Sequence, residues 1–197
     1  MITTIIFDLS EVYLRGLWGT HEYLSKRLNL TITPEHLYNE TAHQLFLGNI
    51  TEEAYWKIIL EKHGWNIDIP ELKEAVRNNF REIEGVRPII EKLRKNGYKL
   101  GLLSVHAKEW VDHLESKFDY HKLFNSTLYS FEVAIIKPDK KAYKLILEKL
   151  AAKPNECLFI DDGQKNISAA SELGIKTILF ESPEKLLNSL KEISIRV

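Results

Sequence analysis

Four short apolar runs, spaced along the chain and separated by stretches of helical periodicity, constrain this fold more than any other feature. They are Ile5-Ile6-Phe7, Leu100-Gly101-Leu102-Leu103, Leu158-Phe159-Ile160 and Thr177-Ile178-Leu179-Phe180. Such runs lack the alternating polar positions of a half-exposed strand and read as strands buried on both faces. Between them lie amphipathic stretches. Tyr143, Ile146, Leu147 and Leu150 share one helical face, and Ile89, Ile90 and Leu93 share another before Gly97, a helix stop. Ser182-Pro183 reads as an N-cap followed by proline in the first turn. Strand alternating with helix predicts an α/β fold, a doubly wound, Rossmann-like parallel sheet.

The alternation breaks once. From about Leu17 to Ile83 the signals are helical, without a convincing strand. Thr33-Pro34 opens one helix, Thr51 another after Gly48-Asn49, and Pro70 a third that carries Leu72, Val76, Asn79 and Phe80. This divides the chain into a core, residues 1–15 and 85–197, and an inserted α-helical cap, residues 16–84. An insertion after the first strand sits where an α/β sheet places a lid over its active edge.

The 197 residues carry 27 Lys and Arg against 28 Asp and Glu. A net charge of -1 offers no broad basic surface of the kind that holds nucleic acid, so no nucleic-acid partner is expected. The one cysteine, Cys157, opens an apolar run and reads as a small buried thiol. With no internal disulfide possible, a reducing compartment fits. The first eight residues do not read as a signal peptide, and no run approaches a membrane span, so a cytoplasmic protein off the membrane is expected.

Ligands of open parallel sheets bind beyond the carboxyl ends of the strands. The predicted strands end at Asp8, at Ser104 and at Asp161-Asp162, and Lys137-Pro138 falls between the last two. Close carboxylates repel unless a cation lies between them. Mg²⁺ suits oxygen ligands and keeps room for water and a phosphate oxygen. A lysine, a hydroxyl and backbone N–H groups complete a phosphate cradle, leaving one carboxylate to attack.

At this point the residues resemble a known family. Ile5-Ile6-Phe7-Asp8-Leu9-Ser10-Glu11-Val12 is similar to the first motif of the haloacid dehalogenase superfamily, and Leu102-Leu103-Ser104 to its second. Glu132-Val133-Ala134-Ile135-Ile136-Lys137-Pro138-Asp139 resembles the third, and Leu158 through Ile167, with Asp161, Asp162 and Asn166, the fourth. The four occur in order across nearly the whole chain, and the helical insert matches the small cap such proteins carry after the first motif. The resemblance implies a Mg²⁺-dependent hydrolase acting on a small phosphorylated metabolite, a sugar phosphate or nucleotide, through an aspartyl-phosphate. It implies Asp8 as nucleophile and metal ligand, with the Ser10 carbonyl and Asp162 as further ligands. Ser10, Ser104, Val105 and Lys137 would face phosphate, Asp161 would support the metal, and Asn166 would position Lys137.

Two departures stand out. The family's usual second aspartate of the first motif is Ser10 here, and a serine hydroxyl is no acid–base group near neutral pH. Val105-His106 follows Ser104 where an asparagine is common. Glu11 and His106 are candidates to replace the missing acid, and Trp18, His21 and His43 to face a substrate from the cap, although Trp18 and Trp56 read more simply as helix packing. Two other readings remain open: metal-free dehalogenation by Asp8, and a non-catalytic binding protein on a phosphatase frame.

Overall fold

The computed structural model describes residues 1–16 and 19–197; Leu17, from about which the helical signals run, and Trp18 lie outside the described residues. Five parallel strands form the central sheet: β1 (Thr4–Phe7), β4 (Lys99–Ser104), β5 (Ser126–Tyr129), β6 (Cys157–Asp161) and β7 (Lys176–Leu179). Their order is β5-β4-β1-β6-β7, so the chain winds outward from β1 to one edge and then returns to build the other. β1 is therefore flanked by β4 and β6, with Phe7 level with Leu102 on one side and Ile160 on the other. The crevice at this reversal is where such sheets bind ligands.

Side chains along β1 split by parity. Ile5 and Phe7 join an apolar cluster on one sheet face, and Ile6 joins a second cluster on the other. The second contains Tyr143, Ile146 and Leu147 of α9 (Lys140–Lys149), and the first contains Ile89, Ile90 and Leu93 of α6 (Val86–Lys95), each face as the periodicity predicts. Cys157 is fully buried. Ser182 caps α11 (Pro183–Glu192) by accepting from the Lys185 N–H at 3.2 Å.

Two strands differ from expectation. β5 was hidden by its Ser-Thr-Leu-Tyr composition, half polar because it is an edge. β7 is also an edge rather than a strand buried on both faces, and Leu179 is 40% exposed. Its apolar run reflects only the one covered side.

The insert consists of α1 (Thr20–Leu28), α2 (Pro34–Leu37), α3 (Glu40–Phe46), α4 (Glu52–His63) and α5 (Ile69–Asn79). Thr51 caps α4 through the Ala54 N–H, and Pro70 lies in the first turn of α5. Where the chain enters and leaves, β2 (Leu14–Arg15) pairs antiparallel with β3 (Arg81–Glu82), a ribbon too short to leave a periodic signal. The insert shares the first apolar cluster with the sheet, which runs from Ile5 and Phe7 to Leu24, Tyr55, Trp56 and Leu72. Helix α7 (Lys108–Phe118) is the seat. Its Trp110 indole donates to Glu52 of α4 at 2.8 Å, its Glu109 accepts from the Glu52 N–H at 3.0 Å, and its Lys117 donates to the Phe80 carbonyl at 3.0 Å.

Candidate active site

Asp8 follows β1, and its N–H continues the ladder to Ile160 of β6 at 2.9 Å. Its carboxylate accepts from the Leu9 N–H at 2.7 Å and lies 2.9 Å from the Lys137 ammonium. Asp161, at the end of β6, is fully buried and holds the same ammonium at 2.6 Å. Its other oxygen accepts from the Gly163 N–H at 2.8 Å and the Asn166 amide at 2.9 Å. Asn166 thus reaches Lys137 only through Asp161, so the positioning expected of it would run through that carboxylate. The turn is tight: a Cβ on Gly163 would stand 2.9 Å from the Asn166 amide nitrogen and 3.0 Å from Asp161. Any side chain there would displace the pair that fixes the lysine.

Asp162 is the exposed member of the group. Carboxylate oxygens of Asp8, Asp161 and Asp162 lie within 4.8 Å of one another, a cluster able to hold a metal ion. Lys137 is the one cation paired with them among the described residues, so three acids face a single ammonium. The electrostatics follow. Burial raises Asp8 to about 7; Lys137 pulls it down, and Asp161 and Asp162 push it back up. Burial and Asp161 likewise raise Asp162. Burial works against the Lys137 charge, but Asp161 and Asp8 outweigh it and hold its pKa above the ordinary lysine value.

Ser104 ends β4 beside β1 and is 1% exposed, and its hydroxyl has no hydrogen-bond partner among the described residues. The Ser10 hydroxyl is also buried without a partner there. A buried polar group left unpaired costs about 1–3 kcal/mol, so such hydroxyls beside a carboxylate cluster are suited to a polar ligand. Val105 follows Ser104, partly exposed at the same strand end.

The candidate replacement acids are placed otherwise. Glu11 has φ 57° in the turn after Ser10, and its carboxylate takes Arg15 at 3.2 Å and the Gly16 N–H at 3.3 Å. His106 is 2% exposed, with rings of Phe80 and Trp110 at 6.1 and 5.8 Å. Burial lowers it to about 4, and its Nδ1 accepts the Ala107 N–H, so the ring is neutral with its proton on Nε2. His43 is half exposed beside Glu40, and His21 lies beside Glu22. Trp56 is buried edge-to-face on Tyr55, the packing role expected of it.

A residue missed by sequence reasoning is Glu52. It is 1% exposed and accepts from Arg77 at 2.6 and 2.9 Å, from Trp110 at 2.8 Å and from Trp56 at 3.3 Å. The only local signal was the Glu52–Trp56 spacing of four on one helix.

Residues 5–180 match the pattern of the haloacid dehalogenase-like hydrolases. The chain belongs to that family. Relatives within it differ in what their names say they act on. The chain is 26% identical to the phosphorylated carbohydrates phosphatase of Thermotoga maritima, over 79% of this chain and 84% of that protein. It is 25% identical to flavin mononucleotide hydrolase 1 of Arabidopsis thaliana over 68% of this chain, a match that spans about half (54%) of that relative. The haloacid dehalogenase-like fold is shared with a family enzyme of Bacteroides thetaiotaomicron solved with magnesium and inorganic phosphate. The TM-score is 0.79 at 24% identity, covering 92% of this chain and 96% of that one. The L-2-haloacid dehalogenase of Xanthobacter autotrophicus shares it at TM-score 0.67 and 17% identity, covering 99% and 84%. No described helix is long and apolar enough to cross a membrane.

Proposed function

We propose that this haloacid dehalogenase-like hydrolase is a Mg²⁺-dependent phosphatase of a small phosphorylated metabolite, with Asp8 as nucleophile. The observation that carries the reading is the charge imbalance: three carboxylates within 4.8 Å share one lysine. Dehalogenation needs no metal and has no use for this surplus, whereas a divalent cation and a phosphoryl group together balance it. Asp8, Asp162 and the Ser10 carbonyl are the oxygens that would hold Mg²⁺; Asp161 is committed to Lys137, Gly163 and Asn166. The relatives named for phosphorylated carbohydrates and flavin mononucleotide, and the neighbour solved with magnesium and phosphate, agree with this reading.

Bound Mg²⁺ would supply charge neutralisation at the phosphoryl group and keep Asp8 ionised near neutral pH. Lys137, fixed by Asp161, offers the phosphoryl oxygens a buried positive charge. Ser104 and the backbone at Val105 donate hydrogen bonds to them. The Asp8 carboxylate attacks phosphorus as the bond to the leaving oxygen breaks, giving an aspartyl-phosphate and an alkoxide that takes its proton from water. Water then attacks phosphorus, releases phosphate and restores Asp8. Ser10 donates at most a hydrogen bond, so the leaving oxygen receives little proton assistance from this loop. The inserted helices, residues 16–84, act as the cap over this edge and exclude bulk water.

The test is turnover of a panel of sugar phosphates and nucleotides, with Mg²⁺ and with EDTA. Mg²⁺-dependent release of phosphate is expected. Haloacid turnover that survives EDTA, without phosphate ester turnover, overturns the reading.

A further inference from the structure

Arg15 and Arg81 are direct cross-strand partners in the β2–β3 ribbon. Like charges directly opposite on antiparallel strands destabilise the pair, and nothing in the packing requires arginine at either position, because both are exposed. Both line an open cleft of ≈ 540 Å³, with Lys26 of α1 as a third cation and Glu11, Glu22 and Tyr23 among the other walls. The two acids leave the three bases in excess. Glu11 pairs with the Arg15 Nε at 3.2 Å and so balances one of them, while Glu22 stands 3.9 Å from His21 and forms no ion pair with Lys26 or Arg81 among the described residues. Lys26 and Arg81 have no carboxylate within ion-pair distance among the described residues; Arg81 donates only to the carbonyl and side chain of Asn79.

We infer that this cleft is an anion site, for a phosphate or carboxylate group clamped between Arg15 and Arg81 and reached by Lys26. A guanidinium fork suits either anion bidentately, and an anion between the two arginines turns their repulsion into a shared attraction. The site is joined to the nucleophile loop. Glu11, which holds Arg15, directly follows Ser10, and its N–H donates to the Leu14 carbonyl at 2.8 Å, one residue from Arg15. It is joined also to the insert, because the ribbon is where the chain passes in and out. The anion is either the far end of the substrate, which would make the substrate a bisphosphate or a phosphorylated acid, or a separate metabolite. The substrate alternative rests on the phosphatase reading; the anion site itself does not.

The experiment titrates inorganic sulfate into the full chain and follows the Arg15 and Arg81 side-chain Nε–H signals by NMR, with exposed Arg27 as internal control. Saturable shifts of both signals, weakened at least tenfold in Arg81→Gln and in Lys26→Gln, are expected. Shifts no steeper than those of Arg27 overturn the site. KM is then compared for a sugar bisphosphate and its monophosphate. If the anion belongs to the substrate, Arg81→Gln raises KM for the bisphosphate about tenfold and leaves p-nitrophenyl phosphate unchanged. If it is a separate ion, sulfate binding is lost while the ratio of the two KM values holds. Saturable sulfate binding with no turnover of any ester supports the site and refutes the phosphatase reading instead.

Discussion

Asp161 grips the ammonium of Lys137 at 2.6 Å, with side-chain exposures of 0% and 2%. A pair this dry is fixed in place by its own burial: without the Asp161 charge, Lys137 keeps Asp8 alone, and Gly163 and Asn166 lose a charged acceptor. Asp161→Asn should therefore destabilise the fold in denaturant unfolding, by less than the about 3–5 kcal/mol of a fully stranded buried charge. It should also lower kcat more than it changes KM, since Lys137 would then turn wholly to Asp8, the group that must attack. A variant with wild-type stability and turnover would mean that Asp161 does not position the lysine.

His106 gives a pH dependence that can be separated from the carboxylates. Its folded-state pKa of about 4 lies below the ordinary 6.5, so the unfolded chain binds the proton first as pH falls. The stability it contributes is complete above about pH 6.5 and is lost between there and pH 4, by about 3 kcal/mol in all. In His106→Gln this part of the slope should vanish. The measurement is the difference between wild-type and variant unfolding free energies from pH 4 to 7. A constant difference would place His106 in water.

Glu52 ties the insert to α7 by accepting from Trp110, Trp56 and Arg77. Glu52→Ala leaves a partly exposed guanidinium and two buried indole N–H groups without their acceptor, at a cost of about 3 kcal/mol. Glu52→Gln keeps one acceptor oxygen and should lose less. Chemical denaturation of both variants checks the order; equal losses would show that the charge alone matters.

Ser10 predicts a leaving-group effect. Without a strong acid in the loop, esters of low leaving-group pKa should turn over fastest, p-nitrophenyl phosphate and anomeric sugar phosphates before simple alkyl phosphates. Ser10→Asp should flatten this dependence and raise alkyl phosphate turnover, by ~10²-fold as an upper bound. Rates plotted against leaving-group pKa for both proteins decide it. A flat wild-type line would reveal another acid. Glu11, tied up by Arg15, and His106, neutral and packed against aromatics, are poorly placed to be that acid.

The parallel core was legible because burial on both faces writes unbroken apolar runs, and β1, β4 and β6 stand where those runs stood. The strand ends placed Asp8, Ser104, Asp161 and Asp162 at one edge for the same reason. β5 was not legible, since an edge strand of four residues can be half polar. The route from Asn166 to Lys137 was not legible either: which acceptor an amide reaches depends on the Gly163 turn, not on spacing. Nor was Glu52, because a buried carboxylate looks like any surface glutamate until its partners, here from α5 and α7, are brought together.

The central claim is that Asp8 attacks phosphorus, and turnover of p-nitrophenyl phosphate by Asp8→Asn in the presence of Mg²⁺ tests it most directly. The amide is nearly isosteric and a very poor nucleophile, so the folded variant should lose at least ~10⁴-fold in kcat relative to wild type. A folded Asp8→Asn protein that keeps turnover near the wild-type rate would contradict the account.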